Sequence, residues 1–119
     1  YAQRPLTSDS LQQLLQIHPE KDTNRVGLLN QLAFANYYNS PMSSLQYGFE
    51  AQKIADSLGY VKGEAEAFRQ IGLAFWAQSD MLTAINYFLT GLRIAEQNGL
   101  RQTEADILSN IGTAYNGMN

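Results

Sequence analysis

The sequence predicts an all-α fold in which antiparallel helix pairs stack into an α-α superhelix. The first observation behind this prediction is an internal repeat, because KIADSLGY at residues 53–60 returns as RIAEQNGL at residues 93–100. A fixed period of about 20 to 50 residues is typical of stacked supersecondary units. The second observation is that apolar residues recur at spacings of three and four, which places them on one face of a helix. Together the two patterns predict repeated amphipathic helices.

The repeat has a period of 40 residues and runs from residue 45 to the end of the chain. Each unit is long enough for one helix pair, so residues 22–119 are expected to hold about two full pairs and the first helix of a third. Small residues such as Gly72 and Gly112 let neighbouring helices approach closely. The identical residues that the 40-residue shift aligns are Tyr47 with Tyr87, Ile54 with Ile94, Ala55 with Ala95, Gly59 with Gly99, Glu64 with Glu104, Ala65 with Ala105, Ile71 with Ile111, Gly72 with Gly112 and Ala74 with Ala114.

The first element is a short amphipathic helix over residues 8–17, SDSLQQLLQI. Pro19 prevents the helix from continuing past His18. Residues 1–21 are therefore expected to form an N-terminal segment whose helix caps the first repeat, since a terminal repeat otherwise exposes an apolar face. The side chains expected to face inward are Leu11, Leu14, Leu15 and Ile17.

The later helices carry start and stop signals. Asp80 can act as an N-cap, because its carboxylate can accept from free backbone N–H groups. Ser40 is expected to do the same one unit earlier, before Pro41 at the first helical position. Gly59 and Gly99 stand where a helix ends in the left-handed conformation.

Composition and charge exclude several functions. The chain has 119 residues, about one domain, with a formal net charge of −3 and no cysteine. An acidic chain lacks the basic face that binding to a phosphate backbone requires, so no nucleic-acid partner is expected. No apolar run reaches the about 18 residues that a membrane span needs. No membrane span is therefore expected in this sequence.

Catalytic motifs are lacking from the sequence. It contains no G-x-S-x-G, no Walker loop and no H-E-x-x-H, and His18 is its single histidine. Paired carboxylates, such as Glu64 and Glu66, fall in the opening turn of a predicted helix, where negative charge favours the helix dipole. The sequence therefore predicts no enzyme, no cofactor and no metal site.

One helix pair carries a recognisable series: Phe68, Ile71, Gly72, Phe75, Ala84, Phe88 and Gly91. Their types and spacing resemble the tetratricopeptide repeat, and the longer period is similar to repeats found ahead of bacterial sensor histidine kinases and related signalling proteins. The resemblance implies a non-enzymatic protein–protein interaction module, the sensory or scaffolding input region of a larger signalling protein. It favours a periplasmic or other extracytoplasmic location, although a chain without cysteine fits the cytoplasm equally well.

The resemblance also implies a concave face, formed by the first helix of each pair, that binds a peptide or a partner domain. We expect binding to depend most on Tyr37, Arg69 and Trp76, because aromatic and Arg side chains dominate interface energetics. The alternative is a structural spacer or dimerisation element without a groove ligand. Glu66, Asp106, Ser109 and Asn116 are expected on the same face as the partner-binding residues, which are Asn30, Gln31, Phe34, Tyr37, Tyr38, Arg69, Gln70, Leu73, Trp76, Asn110 and Thr113.

The last predicted helix, within ILSNIGTAYNGMN, is the first half of a third pair. Its apolar stripe lacks the helix that would cover one side of it. An uncovered apolar stripe favours isologous pairing of two chains. We therefore expect a homodimer through this helix, with Ile107, Ile111 and Tyr115 as its main contacts.

Overall fold

The computed structural model describes residues 7–118, which form six α-helices and no β-strand. The all-α prediction is confirmed, and five helices follow residue 22 as expected. Residues 1–6 of the predicted N-terminal segment and Asn119 of the repeat region lie outside the described residues. The helices are α1 (Ser8–Gln16), α2 (Thr23–Asn36), α3 (Pro41–Leu58), α4 (Val61–Ala77), α5 (Met81–Gln97) and α6 (Arg101–Gly117).

Each helix packs against the next one along the chain. Side-chain contacts between α2 and α3 show that these neighbours run antiparallel. The Ser44 hydroxyl, early in α3, donates to the Ala33 carbonyl late in α2 at 2.7 Å. Arg25 at the start of α2 instead reaches Glu50, further along α3, at 3.0 Å. Because late positions of one helix meet early positions of the other, short turns are sufficient to connect them.

Alternate helices run parallel and side by side. The Asn30 amide on α2 donates to the Gly63 carbonyl on α4 at 3.1 Å, and the Thr103 hydroxyl on α6 donates to Glu66 on α4 at 3.1 Å. The helices α2, α4 and α6 therefore form one layer, and α3 and α5 form a second layer behind it. Helix α1 packs against α2 at the N-terminal end.

The signals for helix ends are confirmed with one exception. Asp80 accepts a hydrogen bond from the Thr83 N–H at 3.3 Å, and both Gly59 and Gly99 adopt a φ of 66°. Ser40 is the N-cap residue of α3 and Pro41 follows at the first helical position, as predicted, but the Ser40 side chain makes no capping hydrogen bond. Its backbone carbonyl instead accepts the first hydrogen bond of the helix, from the Ser44 N–H at 3.0 Å.

Two of the four residues expected to face inward from α1 do not. Leu11 is buried and Leu15 packs against the core, whereas Leu14 is exposed and Ile17 is 78% exposed. Helix α1 ends at Gln16, so Ile17 is already its C-cap. At 3.6 residues per turn, Ile17 also lies about 120° around the helix from Leu11, away from α2.

Gly72 allows α4 and α5 to pack closely. A Cβ at Gly72 would lie 2.4 Å from the Phe88 ring, which is fully buried in the core between α4, α5 and α6. At Gly112, one repeat later, no described atom of a neighbouring helix lies within 4 Å of the same position. Close helix packing therefore explains the glycine at position 72 but not the one at position 112.

Candidate functional site

A groove with a volume of about 620 Å³ lies between α2 and α4. We call it the α2–α4 groove. Leu11 of α1 and Tyr60, just before α4, close parts of its wall. Its lining residues are Leu11, Val26, Gly27, Asn30, Gln31, Phe34, Ala35, Tyr60, Lys62, Gly63, Glu66, Arg69 and Gln70.

A second, smaller cavity of about 120 Å³ lies on the same layer, and we call it the α4–α6 cavity. Tyr37 and Trp76 form one wall, with their ring centroids 6.5 Å apart. The lining residues are Tyr37, Leu73, Trp76, Phe88, Asn110 and Thr113.

All the predicted partner-binding residues except Tyr38 line one of these two cavities. Tyr38 lies in the turn after α2, where it is 71% exposed and lines neither cavity. The binding role of these residues stays a prediction. Of the four residues expected beside them, Glu66 lines the α2–α4 groove, whereas Asp106, Ser109 and Asn116 line neither cavity.

Helical spacing explains why the groove residues face one another. Asn30 and Phe34 are four residues apart on α2, and Glu66 and Gln70 are four apart on α4, so each pair shares one face of its helix. Gly63 lets the two helices approach closely, since a Cβ there would lie 2.7 Å from Val26 Cγ1 on α2. This approach lets the Asn30 amide reach the Gly63 carbonyl.

Two charged groups of the groove wall, Arg69 and Glu66, are held in place from the α6 side. Arg69 donates through Nε to the Asn110 amide oxygen at 2.7 Å, and its Nη1 lies 3.5 Å from Glu66. The Thr103 hydroxyl donates to the other oxygen of Glu66. The Arg69 guanidinium also lies 5.9 Å from the centroid of the Phe34 ring, within the range of a cation–π interaction. Helix α6 therefore orients both charges before any ligand arrives.

Two amide oxygens of the groove are buried without a hydrogen-bond partner among residues 7–118. They are Asn30 Oδ1 and Gln70 Oε1. The Asn30 and Gln70 side chains were predicted at this site, but their burial could not be predicted from the repeat. Gln70 is only 4% exposed although it is polar.

Several lining residues were not predicted. Leu11 and Tyr60 lie outside the repeat helices that the resemblance assigns to the concave face. The inward stripe of α1 could have indicated Leu11, and the position of Tyr60 after the Gly59 helix stop could have indicated that it folds back. The other unpredicted lining residues are of types that are common in helix packing or on exposed surfaces, so the sequence does not mark them as part of a site. They are Val26, Gly27, Ala35, Lys62 and Gly63.

The residues predicted for self-association differ in exposure. Ile107 is fully buried and its Cδ1 would lie 3.2 Å from a Cβ at Gly91, so it has no surface to offer a second chain. Ile111 is half-buried, and Tyr115 is 54% exposed. Ile111 and Tyr115 are therefore the predicted residues that remain accessible on α6.

The single histidine lies in the turn between α1 and α2. His18 Nε2 lies 2.8 Å from Asp22, its Nδ1 lies 3.4 Å from Glu20, and its carbonyl accepts from the Arg25 guanidinium at 3.0 Å. The hydrogen bond from His18, followed by that from the Arg25 N–H, holds the pKa of Asp22 below its ordinary value. His18 therefore helps to fix the junction that places α1 over the groove.

Within residues 7–118, no cluster of three His, Asp or Glu side chains could hold a metal ion, and no helix combines the length and apolar character needed to cross a membrane. Comparison with protein-family models gives no match for this chain, and comparison with curated proteins gives none either. Its function is therefore argued from the two cavities and their residues.

Proposed function

We propose that this chain is a tetratricopeptide-like repeat domain that binds a peptide or a partner domain in the α2–α4 groove. The observation that carries the proposal is the groove itself, which has a volume of about 620 Å³. Five of the predicted residues line it: Asn30, Gln31, Phe34, Arg69 and Gln70. This volume lies within the about 300 to 1,000 Å³ typical of ligand sites. Apolar surface with a few convergent polar groups is the usual composition of such a site.

The layered packing supports a superhelical arrangement. Helix α4 contacts both α2 and α6, whereas α3 and α5 have no close backbone contact. Their side chains meet at Phe49 and Tyr87, whose ring centroids are 6.0 Å apart. A stack with one tight layer curves toward that layer, which would make α2, α4 and α6 the concave side. Repeats of this kind use an extended concave surface for binding.

We place the domain, on the sequence resemblance, in the input region of a larger bacterial signalling protein on the extracytoplasmic side of the membrane. No catalytic role is proposed. The resemblance assigns ligand recognition to this region and leaves the output to a separate effector.

A second candidate is a dimerisation element, which the C-terminal helix favours. Helix α6 exposes a continuous surface that we call the α6 face, formed by Leu108, Ile111, Gly112 and Tyr115. Apolar faces of this kind commonly mark protein–protein contacts. Under this proposal two chains pair through their α6 faces and the groove has no dedicated ligand.

Selection from a display library of random peptides of about 12 residues tests the groove, because such peptides are long enough to occupy a cavity of this size. Phe34→Ala removes a ring that is 51% exposed in the groove, and Phe49→Ala makes the same change on the far side of the molecule. We expect Phe34→Ala to weaken selected peptides by about 1 to 3 kcal/mol and Phe49→Ala to leave affinity unchanged. Equal binding by both variants, or no enriched peptide, would argue against the groove and for the dimerisation element.

Phe34 is a better test than Trp76 or Tyr37, although those two residues were expected to be among the most important. Both are half-buried and pack against the core as well as lining the α4–α6 cavity. Their truncation would therefore lower stability and affinity together. The Phe34 ring can be removed with less effect on the fold.

A further inference from the structure

The outer sides of α3 and α5 carry the same chemistry at exposed positions. The 40-residue alignment holds from the start of both helices, because Ser40 and Asp80 are their N-caps. In α4 and α6, by contrast, the aligned pairs that are exposed in both helices differ in type, as Val61 does from Arg101. Five pairs in α3 and α5 are exposed in both helices and share one chemical type: Met42 with Leu82, Gln46 with Asn86, Phe49 with Leu89, Lys53 with Arg93 and Asp56 with Glu96.

Packing within the domain does not account for this match. Aligned core residues such as Ala55 and Ala95 are both fully buried, so the fold restricts their type, whereas exposed positions tolerate most substitutions. The matching residues lie at i, i+4, i+7, i+11 and i+14, counted from the second residue of each helix, which places them in one stripe along its solvent side. We call these the outer stripes. Two stripes of the same chemistry indicate a partner that contacts both helices.

The outer stripes border a furrow between α3 and α5, which we call the outer furrow. The two helices have no close backbone contact, and their side chains meet where the centroids of the Phe49 and Tyr87 rings lie 6.0 Å apart. Because Tyr87 is two residues from Leu89, which the repeat aligns with Phe49, the two stripes lie at about the same height. Each stripe also borders a cavity, of about 360 Å³ beside Phe49 and about 440 Å³ beside Leu89. A partner therefore finds room for its side chains along both stripes.

The charged members of the stripes specify the charge of the partner. Toward the carboxyl ends of the helices, one cation lies on each side of the outer furrow, and one carboxylate on each side follows a turn later. None of these four side chains belongs to an ion pair among residues 7–118. An acidic group between Lys53 and Arg93 meets two cations, and a basic group one turn further meets Asp56 and Glu96. Charges arranged in this way fix the register of a bound partner.

We propose that the outer furrow binds an amphipathic helix of a partner protein. The face of that helix carries, in order along the furrow, an apolar residue, an amide, a second apolar residue, an acidic residue and a basic residue. The apolar residues pack against the apolar members of both stripes, and the acidic residue lies between Lys53 and Arg93. Helices that bind in grooves use apolar anchors spaced in the same way. The furrow lies in the layer behind α2, α4 and α6, so the inference goes beyond the proposed function and does not depend on it.

The test selects helices from a display library of Ala-rich peptides of about 20 residues, which is long enough for helix formation in water. One face of each peptide is randomised. We expect enriched peptides to carry an acidic residue with a basic residue one turn to one side and apolar residues on the other side. Reversing both furrow cations, in the variant Lys53→Glu with Arg93→Glu, should weaken binding at least about tenfold. Lys21→Glu with Lys62→Glu reverses two exposed cations outside the furrow and should leave affinity unchanged.

Exchanging the charges separates recognition from an effect on the fold. A peptide in which the acidic and basic residues trade places keeps its composition but sets like charges against the stripes, so it should bind the parent domain at least about tenfold more weakly. The domain with all four stripe charges reversed should prefer this exchanged peptide. A loss of structure in the variant would not restore binding in this way. The reversed domain carries Lys53→Glu, Asp56→Lys, Arg93→Glu and Glu96→Lys.

Other results would overturn the proposal. The absence of enriched helices, or helices that bind Lys53→Glu with Arg93→Glu as tightly as the parent, would show that the outer furrow is not their site. Raising sodium chloride from about 50 to about 500 mM should weaken the complex about threefold or more, and an unchanged affinity would refute recognition by charge. Helices that lose affinity with Phe34→Ala instead would occupy the α2–α4 groove, which would contradict the outer furrow while supporting the proposed function.

Discussion

Helices α4 and α6 carry the same residue pattern 40 positions apart, yet they occupy different environments. In α4, Ile71 is fully buried and Gly72 faces the Phe88 ring of α5. In α6, Ile111 is half-buried and Gly112 is open, because no described helix covers that side. A repeat pattern therefore specifies which face of a helix is apolar, whereas the neighbouring helix decides whether that face becomes core.

The largest difference in stability between matched substitutions in α4 and α6 is expected for Ile71 and Ile111, which the 40-residue repeat aligns. Ile71→Ala should cost about 2 to 5 kcal/mol in the free energy of unfolding, since the truncation leaves a cavity between packed helices. Ile111→Ala should cost about 1 kcal/mol or less, because part of its side chain already faces solvent. Urea unfolding of both variants measures the two values. Equal losses would mean that α6 is covered in solution by something that residues 7–118 do not provide.

Alanine substitutions at Gly72 and Gly112, which the repeat also aligns, should change the stability of the domain in opposite directions. Gly72→Ala forces a methyl group against the buried Phe88 ring and should destabilise the domain by about 1 to 3 kcal/mol. Gly112→Ala meets no neighbour and should stabilise it by about 1 kcal/mol, through the higher helix propensity of alanine. The difference in unfolding midpoint between the variants is the measurement. A destabilising Gly112→Ala would show that another helix occupies the α6 face.

The fold could be predicted from the sequence where the signals are local, and less well where contacts between helices decide the outcome. The 40-residue period predicted the five helices after residue 22, and Gly59, Gly99 and Asp80 predicted helix ends, because these signals are local. Ile107 was predicted as a surface contact and is core, since the repeat does not show which side of the stripe meets α5.

The groove could be predicted in part for a similar reason. Helical spacing placed Asn30, Phe34 and Gln70 on the inner face, because residues four apart share one side of a helix. The contribution of Leu11 depends on how α1 folds over α2, which no repeat encodes. The unpaired state of the Asn30 and Gln70 oxygens depends on distances between helices, and these appear only in three dimensions.

A smaller effect is expected for a substitution on the α6 face, and it is measured as the affinity between two chains. Tyr115→Glu places a charge on an exposed position of that face and should weaken a dimer by about tenfold or more. Leu89→Glu makes a comparable change at an exposed position of α5 and should leave the dimer intact. Sedimentation at increasing protein concentration measures both. A parent protein that stays monomeric throughout would refute the dimerisation element and leave the α6 face without a role in pairing chains.

The smallest effect is expected at the opposite end of the molecule, where α1 packs against α2. There the carboxylate of Asp22 binds His18 and the Arg25 N–H, which lowers its pKa from the ordinary 3.8. A lowered pKa means that the folded chain takes up this proton less readily than the unfolded chain. The resulting stability is present above the ordinary pKa and is lost as the pH falls through the lower, folded value. Because the pair is exposed to solvent, its contribution is small.

Asp22→Asn keeps a side chain that can cap α2 but removes the charge, so it should abolish this acid-dependent loss while leaving the helix start intact. Urea unfolding of both proteins from about pH 6 to about pH 3 measures the effect, since the carboxylate titrates within that range. The curves should be furthest apart at the upper end and converge in acid. Asp80→Asn makes the same substitution at a cap without a histidine partner and is the matched control. Curves for Asp22→Asn that stay parallel to those of the parent would show that the His18 contact does not stabilise the junction under α1, and the covered end would then depend on the packing of Leu11 and Leu15 alone.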